Sequence, residues 1–282
     1  MKQTQFQTVI TSKRSWFTLN FKEVWKYRDL IWLFVQRNFK TRYKQTILGP
    51  LFFVIQPLFA TVVHSLIFGG LAGLSTDGVP TFLFYLLSNI TWQCFSSALT
   101  GTSNTFTGNA GIFGKVYFPR LVTPISTIIT NVLNLLIQFA LFMIIWVGFY
   151  FTQGGVHLTW VAALFPVLVL QLSLLGLGFG VIISSLTTKY RDLQVFLDFG
   201  VSLLMYLTPV VYTASSMGER LFAKIVMLNP VSPIIELMRY GWLGAGSLPW
   251  LYWAISWIVT IVVVLLGVMI FNKVEKNFMD TV

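Results

Sequence analysis

Residues 121–188 read LVTPISTIITNVLNLLIQFALFMIIWVGFYFTQGGVHLTWVAALFPVLVLQLSLLGLGFGVIISSLTT and contain no Asp, Glu, Lys or Arg. An α-helix rises 1.5 Å per residue and the hydrocarbon core of a bilayer is ~30 Å thick, so one crossing takes ~20 apolar residues. The stretch is long enough for two crossings, 121–151 and 160–186. The turn between them is marked by Gln153-Gly154-Gly155, His157 and Thr159.

The other charge gaps extend the pattern in both directions. They run from Lys44 to Asp77, Asp77 to Lys115, Asp198 to Glu219 and Arg239 to Lys273. They predict further spans over 47–69, 81–103, 194–212 and 251–271. The reading is an all-α membrane protein with six transmembrane helices. Composition agrees: 56% of the 282 residues are hydrophobic and only 10% are charged, against roughly 25% charged in a soluble domain. Little is left beyond the spans, so no separate soluble catalytic domain is expected.

The net charge is +10. Lys and Arg concentrate on the cytoplasmic side of membrane proteins, which accounts for this without nucleic acid. With the N-terminus inside, the segments 1–46, 104–120, 187–193 and the tail from 272 carry sixteen of the nineteen basic residues. Both termini are therefore expected in the cytoplasm. Cys94 is the single cysteine, which excludes an intrachain disulfide and argues against a cysteine metal site. The basic sequence up to Lys44 lacks a continuous apolar core, so no cleaved signal peptide is expected.

Two segments flank the spans. Within 21–46, Lys22, Lys26, Asp29, Arg37, Lys40 and Lys44 share one helical face, opposite Val24, Trp25, Ile31, Trp32, Val35, Phe39 and Tyr43. Leu33 on the charged face and Arg28 and Arg42 on the apolar one are the exceptions. The pattern predicts an amphipathic interface helix, either an anchor or a docking surface for a partner. Segment 213–249 is too long for a tight turn and largely apolar, and Asn229-Pro230 and Pro233 divide it. It predicts short external re-entrant helices after the fifth span, as a gate or a cap. Gly176, Gly178 and Gly180 predict close helix packing.

Chemistry within the chain is sparse. A phosphate-binding loop needs Gly, four residues, then Gly-Lys-Ser/Thr. At Gly114-Lys115 the first glycine position is Asn109 and the residue after the lysine is Val116. No metal-ligand spacing or catalytic carboxylate pair stands out, so no catalytic and no metal residues are assigned. Secondary transporters usually carry ionisable groups inside their spans; here only His64 and Asp198 fall near that position. If the protein transports, its energy comes from another subunit. A membrane-embedded transferase acting on lipid-linked sugars is the alternative from another class.

Several motifs together resemble the permease subunit of bacterial ABC exporters for polysaccharides and polyol phosphates, the family that exports O-antigen, capsule and teichoic acid. They are YRDLIWLFVQRNFKTRYKQTILGPLFFVIQPL (27–58), NAGIFGKVYFPRLVTP (109–124), TKYRDL (188–193), LTPVVY (207–212) and NPVSPIIELMR (229–239), followed by a tail with Glu275, Phe278 and Asp280. The resemblance begins near Phe21, leaving 1–20 as a variable leader, 47–272 as the transmembrane domain and 273–282 as a cytoplasmic tail. It implies an inner-membrane homodimer working with two copies of a separate ABC ATPase. ATP and Mg are then bound by that partner and no cofactor by this chain. The implied substrate is a lipid-linked glycan, with a drug or lipid as the alternative cargo, and the membrane lipids surround the whole.

Under that resemblance, Asp29, Arg37, Asn109, Lys115, Arg120, Lys189, Tyr190, Arg191 and Asp192 are expected at the ATPase coupling surface. Arg37, Lys40 and Arg42 are expected at the substrate entrance. Gln56, His64, Tyr206 and Tyr212 are the expected channel lining, the first and fifth spans being the implied walls.

Overall fold

A computed structural model describes residues 21–43, 52–152, 154–188, 190, 192–217 and 221–277. Among the described residues there is helix and turn and no strand. In chain order the helices are α1 (Phe21–Lys26), α2 (Arg28–Tyr43), α3 (Phe52–His64), α4 (Thr81–Ser103), α5 (Thr105–Phe113), α6 (Val122–Thr152), α7 (Phe165–Thr187), α8 (Leu193–Tyr206), α9 (Leu221–Leu228), α10 (Ser232–Leu243) and α11 (Trp250–Asn277). A π-helical stretch, Ser65–Leu71, continues α3, and a 3₁₀ turn, Trp160–Leu164, leads into α7.

Among the described residues, four segments are long and apolar enough to cross a membrane: Val54–Leu71, Val122–Thr152, Trp160–Thr187 and Trp250–Glu275. The α9–α10 pair passes the same criterion jointly but is bent by 89°. The expected break at Asn229-Pro230 is thus where the chain turns. Asn229 fixes the corner by accepting from the Val231 N–H at 3.1 Å and donating to Thr208 Oγ1 at 2.8 Å.

Helix α4 coincides with the expected 81–103 but is more polar than those four. It is the hub of the bundle, packed against α3, α6, α7 and α10, with Leu83–Trp92 buried throughout. Protein rather than lipid surrounds it, so hydroxyls are tolerated. Ser88, Thr91 and Thr100 each donate to a carbonyl one turn back at 2.8 Å, leaving none of the three unpaired. The glycines of α7 let it approach on both sides. A Cβ at Gly176 would lie 2.4 Å from Ala98 Cβ of α4, and one at Gly178 would lie 2.9 Å from Val263 Cγ1 of α11. The packing role read from their spacing is what the structure has.

Three expectations need correction in detail. Helix α8 has 14 residues, or about 21 Å at 1.5 Å per residue, so 194–212 is not one continuous crossing helix. The chain leaves the helix at Leu207, where Pro209 removes a backbone donor. The α1–α2 segment breaks at Tyr27, and its inward face is Val24, Ile31, Phe34 and Val35. Trp25 and Trp32, read on the same apolar face, are 68% and 55% exposed, so α2 has two apolar sides. Lastly, α11 runs to Asn277, past the expected start of the tail.

Candidate functional site

At the end of the bundle that carries α2 and α5, aromatic rings bind four segments into one unit. Phe34 of α2 meets Phe118 edge-on at 5.7 Å, Phe118 meets Phe113 at 5.6 Å, and Phe106 of α5 stacks on Phe271 of α11 at 4.6 Å. Arg120 belongs to this cluster. It is 7% exposed, lies 5.5 Å from the Phe113 ring centre and donates from Nη1 to the Glu275 carbonyl at 3.1 Å. Burial pushes its pKa down, opposed by the Glu275 carboxylate and then by Tyr117. The start of the 188–193 loop is tied to the end of α4: Thr187 Oγ1 donates to the Ser103 carbonyl at 3.5 Å and Gln194 Nε2 to Ser103 Oγ at 3.4 Å. Ser184 Oγ accepts from the Phe106 N–H at 3.3 Å. Both loops expected at a coupling surface are therefore anchored to the same helix ends.

The other expected coupling residues fall into three groups. Asp29, Lys115, Tyr190 and Asp192 are exposed, as is Lys40. Arg37 and Asn109 are half-buried and adjoining, with Arg37 Nη2 donating to Asn109 Oδ1 at 3.5 Å and the guanidinium 4.6 Å from the Phe34 ring centre. Lys189 and Arg191 lie outside the described residues, as does the side chain of Arg42.

Above Arg37, a polar track runs along one stripe of α6. A cavity of about 410 Å³ lies between α2, the α4–α5 region and α6, lined by Arg37, Asn109, Gly108, Thr127, Thr130 and Asn131. Asn131 also lines a second cavity of about 40 Å³ with Asn134, Gln138, Gln93, Ser97 and Gln56. Gln56, Gln93 and Gln138 then line a third of about 90 Å³, which reaches His64, Asn89 and Met205. Gln56 and His64 are thus brought together, with His64 Nδ1 3.0 Å from Asn89 Oδ1 and Asn89 Nδ2 donating to Thr61 Oγ1 at 3.2 Å. Asn131 Nδ2 and Asn134 Oδ1 are buried with no hydrogen-bond partner among the described residues. Sequence reading passed over this stripe, although Thr127, Thr130, Asn131, Asn134 and Gln138 recur at helical spacing inside an apolar span.

At the opposite end most polar groups pair with one another, although Arg239 Nε and Trp242 Nε1 are buried with no hydrogen-bond partner among the described residues. Glu236 and Arg239 of α10 form an ion pair with side chains 2% and 1% exposed. Arg239 also donates to the Tyr212 carbonyl at 3.2 Å and sits 4.4 Å from the Phe84 ring centre, while Glu236 Oε1 accepts from the Ala214 N–H at 3.3 Å. The i,i+3 spacing of Glu236 and Arg239 is legible within the motif at 229–239, although sequence analysis did not single the pair out. Tyr206 is exposed and Tyr212 half-buried, and the Tyr212 hydroxyl donates to the Tyr206 carbonyl at 3.1 Å. The structure places these two tyrosines together; neither lines the cavity that Gln56 and His64 share, although Met205 beside Tyr206 does. Among the described residues no group of three or more His, Cys, Asp or Glu is arranged to hold a metal ion.

Comparison with known proteins agrees with an apolar bundle that carries its polar groups inside. Residues 29–243 match the family model described as ABC-2 type transporter. Two proteins of Klebsiella pneumoniae, each named O-antigen export system permease protein RfbA, are 29% and 28% identical over 254 residues, covering 89% of this chain and 94% of theirs. A protein of the same name from Myxococcus xanthus is 29% identical over 217 residues, 77% of this chain and 80% of its own. With the family model covering most of its length, the chain belongs to the ABC-2 type transporter family.

Proposed function

We propose that the chain is the permease subunit of an ATP-driven exporter that moves a lipid-linked, O-antigen-type polysaccharide across the bacterial inner membrane. The observation that carries this is similarity to O-antigen export permeases along 94% of their length, together with the family match. Family membership puts the membrane path in this subunit and ATP hydrolysis in a partner ATPase. Six crossings with both termini cytoplasmic fit the distribution of basic residues, with α4 and α8 as the two crossings that are not long apolar helices.

The path is proposed to lie between two copies of the chain. Helix α8 supports this: none of its residues is buried, and its exposed side carries Asp198 and Ser202 beside Phe196, Phe199 and Leu203. A carboxylate facing lipid at depth is costly, whereas one facing a water-filled path or a second copy is not. Tyr206 on the same exposed side is then a wall residue. The ATPase docks on the exposed Lys115–Tyr117 loop and on exposed Tyr190 and Asp192, which the Ser103 and Ser184 bonds connect to α4 and α7. Arg120, folded inward, positions the first loop.

Affinity purification of the tagged chain from its native membrane tests the reading. The expected result is a stoichiometric ABC ATPase, with Asp192→Arg lowering its recovery or uncoupling hydrolysis from export. Intact, folded permease that reproducibly returns alone would refute it.

A further inference from the structure

The export reading leaves open where, within one copy, the sugar chain is first gripped. Resting on that reading, we propose that the cleft between α2, α5 and α6 binds the phosphate-proximal sugars of the lipid-linked substrate. In this arrangement Arg37 and Asn109 meet a phosphate, and Asn131 and Asn134 meet sugar hydroxyls.

Three observations carry this. The first is size and composition. The lower cavity, about 410 Å³, falls within the usual range for small-molecule sites. Beside Ile112 and two glycines, its polar lining is amide, hydroxyl and one guanidinium, with no carboxylate, so a cationic ligand has no counter-charge there. The second is the unpartnered pair. Asn131 and Asn134 are 4% and 7% exposed, yet Asn131 Nδ2 and Asn134 Oδ1 have no hydrogen-bond partner among the described residues. Asn131 lines the lower cavity and also the 40 Å³ one that continues from it, and Asn134 lines the latter, at the upper end of the cleft. Three residues apart on α6, they share a face and present one spare donor and one spare acceptor. A sugar hydroxyl is acceptor and donor at once, so it satisfies both. Leaving such groups unmade at membrane depth is costly.

The third is the cation. Arg37 has no carboxylate partner among the described residues; its bonds to Asn38 and Asn109 are long, 3.4 and 3.5 Å. Its planar fork matches phosphate oxygens bidentately. Phosphate at Arg37 and hydroxyls at Asn131 are the two ends of a sugar phosphate. The ligand class is therefore a phosphate-bearing saccharide, whose source is either the lipid-linked substrate or a free sugar phosphate.

The experiment uses the purified complex of permease and ATPase in proteoliposomes, reading stimulation of ATP hydrolysis. The probes are a polyprenyl-pyrophosphate-linked oligosaccharide, polyprenyl pyrophosphate without sugars, and a free sugar phosphate. The Asn131→Leu/Asn134→Leu double variant is expected to raise the half-stimulating concentration of the lipid-linked oligosaccharide about tenfold. The sugar-free carrier is expected to change by less than about twofold, since it makes neither amide contact. Arg37→Gln weakens both lipid probes.

Stimulation by the free sugar phosphate alone would overturn the lipid-linked assignment. Gly108→Leu is the second variant: it lines the cleft, and a Cβ there approaches nothing closer than 3.9 Å, so it fills the space without disturbing packing. It too weakens the oligosaccharide response, and it decides the matter if the double variant does not assemble. Wild-type values in the assembled variants would overturn the proposal while leaving the export reading standing. A wild-type complex that ignores the lipid-linked oligosaccharide altogether would overturn both.

Discussion

Two buried polar regions of this bundle are built on opposite principles. Around α10, a carboxylate and a guanidinium bury each other and their remaining bonds go to the Ala214 N–H and the Tyr212 carbonyl. The nearby Gln171 is closed in the same way, donating to Ser256 Oγ and accepting from Trp253 Nε1 at 2.8 Å each. Along α6 the polar groups are neutral amides, and two of their atoms are left over. A charged pair that is mostly satisfied, with Arg239 Nε alone of its polar atoms left without a partner among the described residues, pins α10 to the 212–214 segment. A neutral stripe with spare bonds beside a cavity is poor scaffolding and good binding surface. The difference teaches that burial alone does not say what a polar residue does in a membrane protein; unmet hydrogen bonds count when a cavity lies beside them, as along α6 and not at Arg239.

The largest expected effect lies in the closed region. Arg239→Leu leaves the Glu236 carboxylate buried and unpaired, at a cost of about 3–5 kcal/mol. It should appear as a steep loss of folded protein in detergent thermal-melt assays, with Glu236→Leu/Arg239→Leu recovering much of it. Overpacking the α4–α7 contact comes next. Gly176→Val would place its Cβ 2.4 Å from Ala98 Cβ, and a destabilisation of about 1–3 kcal/mol or more is expected, readable in the same melt. Smaller again is Trp146→Phe, which removes the 2.7 Å bond from Trp146 Nε1 to the Trp242 carbonyl and should cost about 1 kcal/mol.

The smallest effect sharpens the contrast. Asn131→Leu/Asn134→Leu should leave the melting temperature unchanged or slightly raised, because no hydrogen bond among the described residues is lost at Asn131 Nδ2 or Asn134 Oδ1 and apolar surface is added. A melt as poor as that of Arg239→Leu would show the stripe to be scaffold after all, and the two regions would no longer differ.

Much of the architecture was legible in charge spacing. The run 121–188 resolved into α6 and the Trp160–Thr187 segment, a 3₁₀ turn leading into α7, within a residue or two, because an uninterrupted apolar helix has few other ways to satisfy its backbone in lipid. The break at Asn229-Pro230 was legible for the same local reason. The fifth span was less so: hydropathy continues past Tyr206, but Pro209 and the turns that follow are set by tertiary contacts such as Tyr85 Oη donating to the Val211 carbonyl at 3.3 Å. The face of α2 was misjudged because Trp25 and Trp32 are apolar yet outward, which periodicity cannot separate from inward. For the site, Arg37 with Asn109 and Gln56 with His64 were picked singly and turned out to be neighbours. The α6 amides were missed because a lone Asn in a span looks like packing; only the cavity beside it distinguishes the two.

The central claim is ATP-driven export of a lipid-linked glycan through this subunit. Its most direct test is transport into proteoliposomes containing the permease and its co-purified ATPase, with the glycan reporter scored for protection from an external glycosidase. The account predicts protection that requires ATP and is lost when the ATPase is omitted. Protection that develops equally without ATP, or none from an intact and hydrolysing complex, would contradict it.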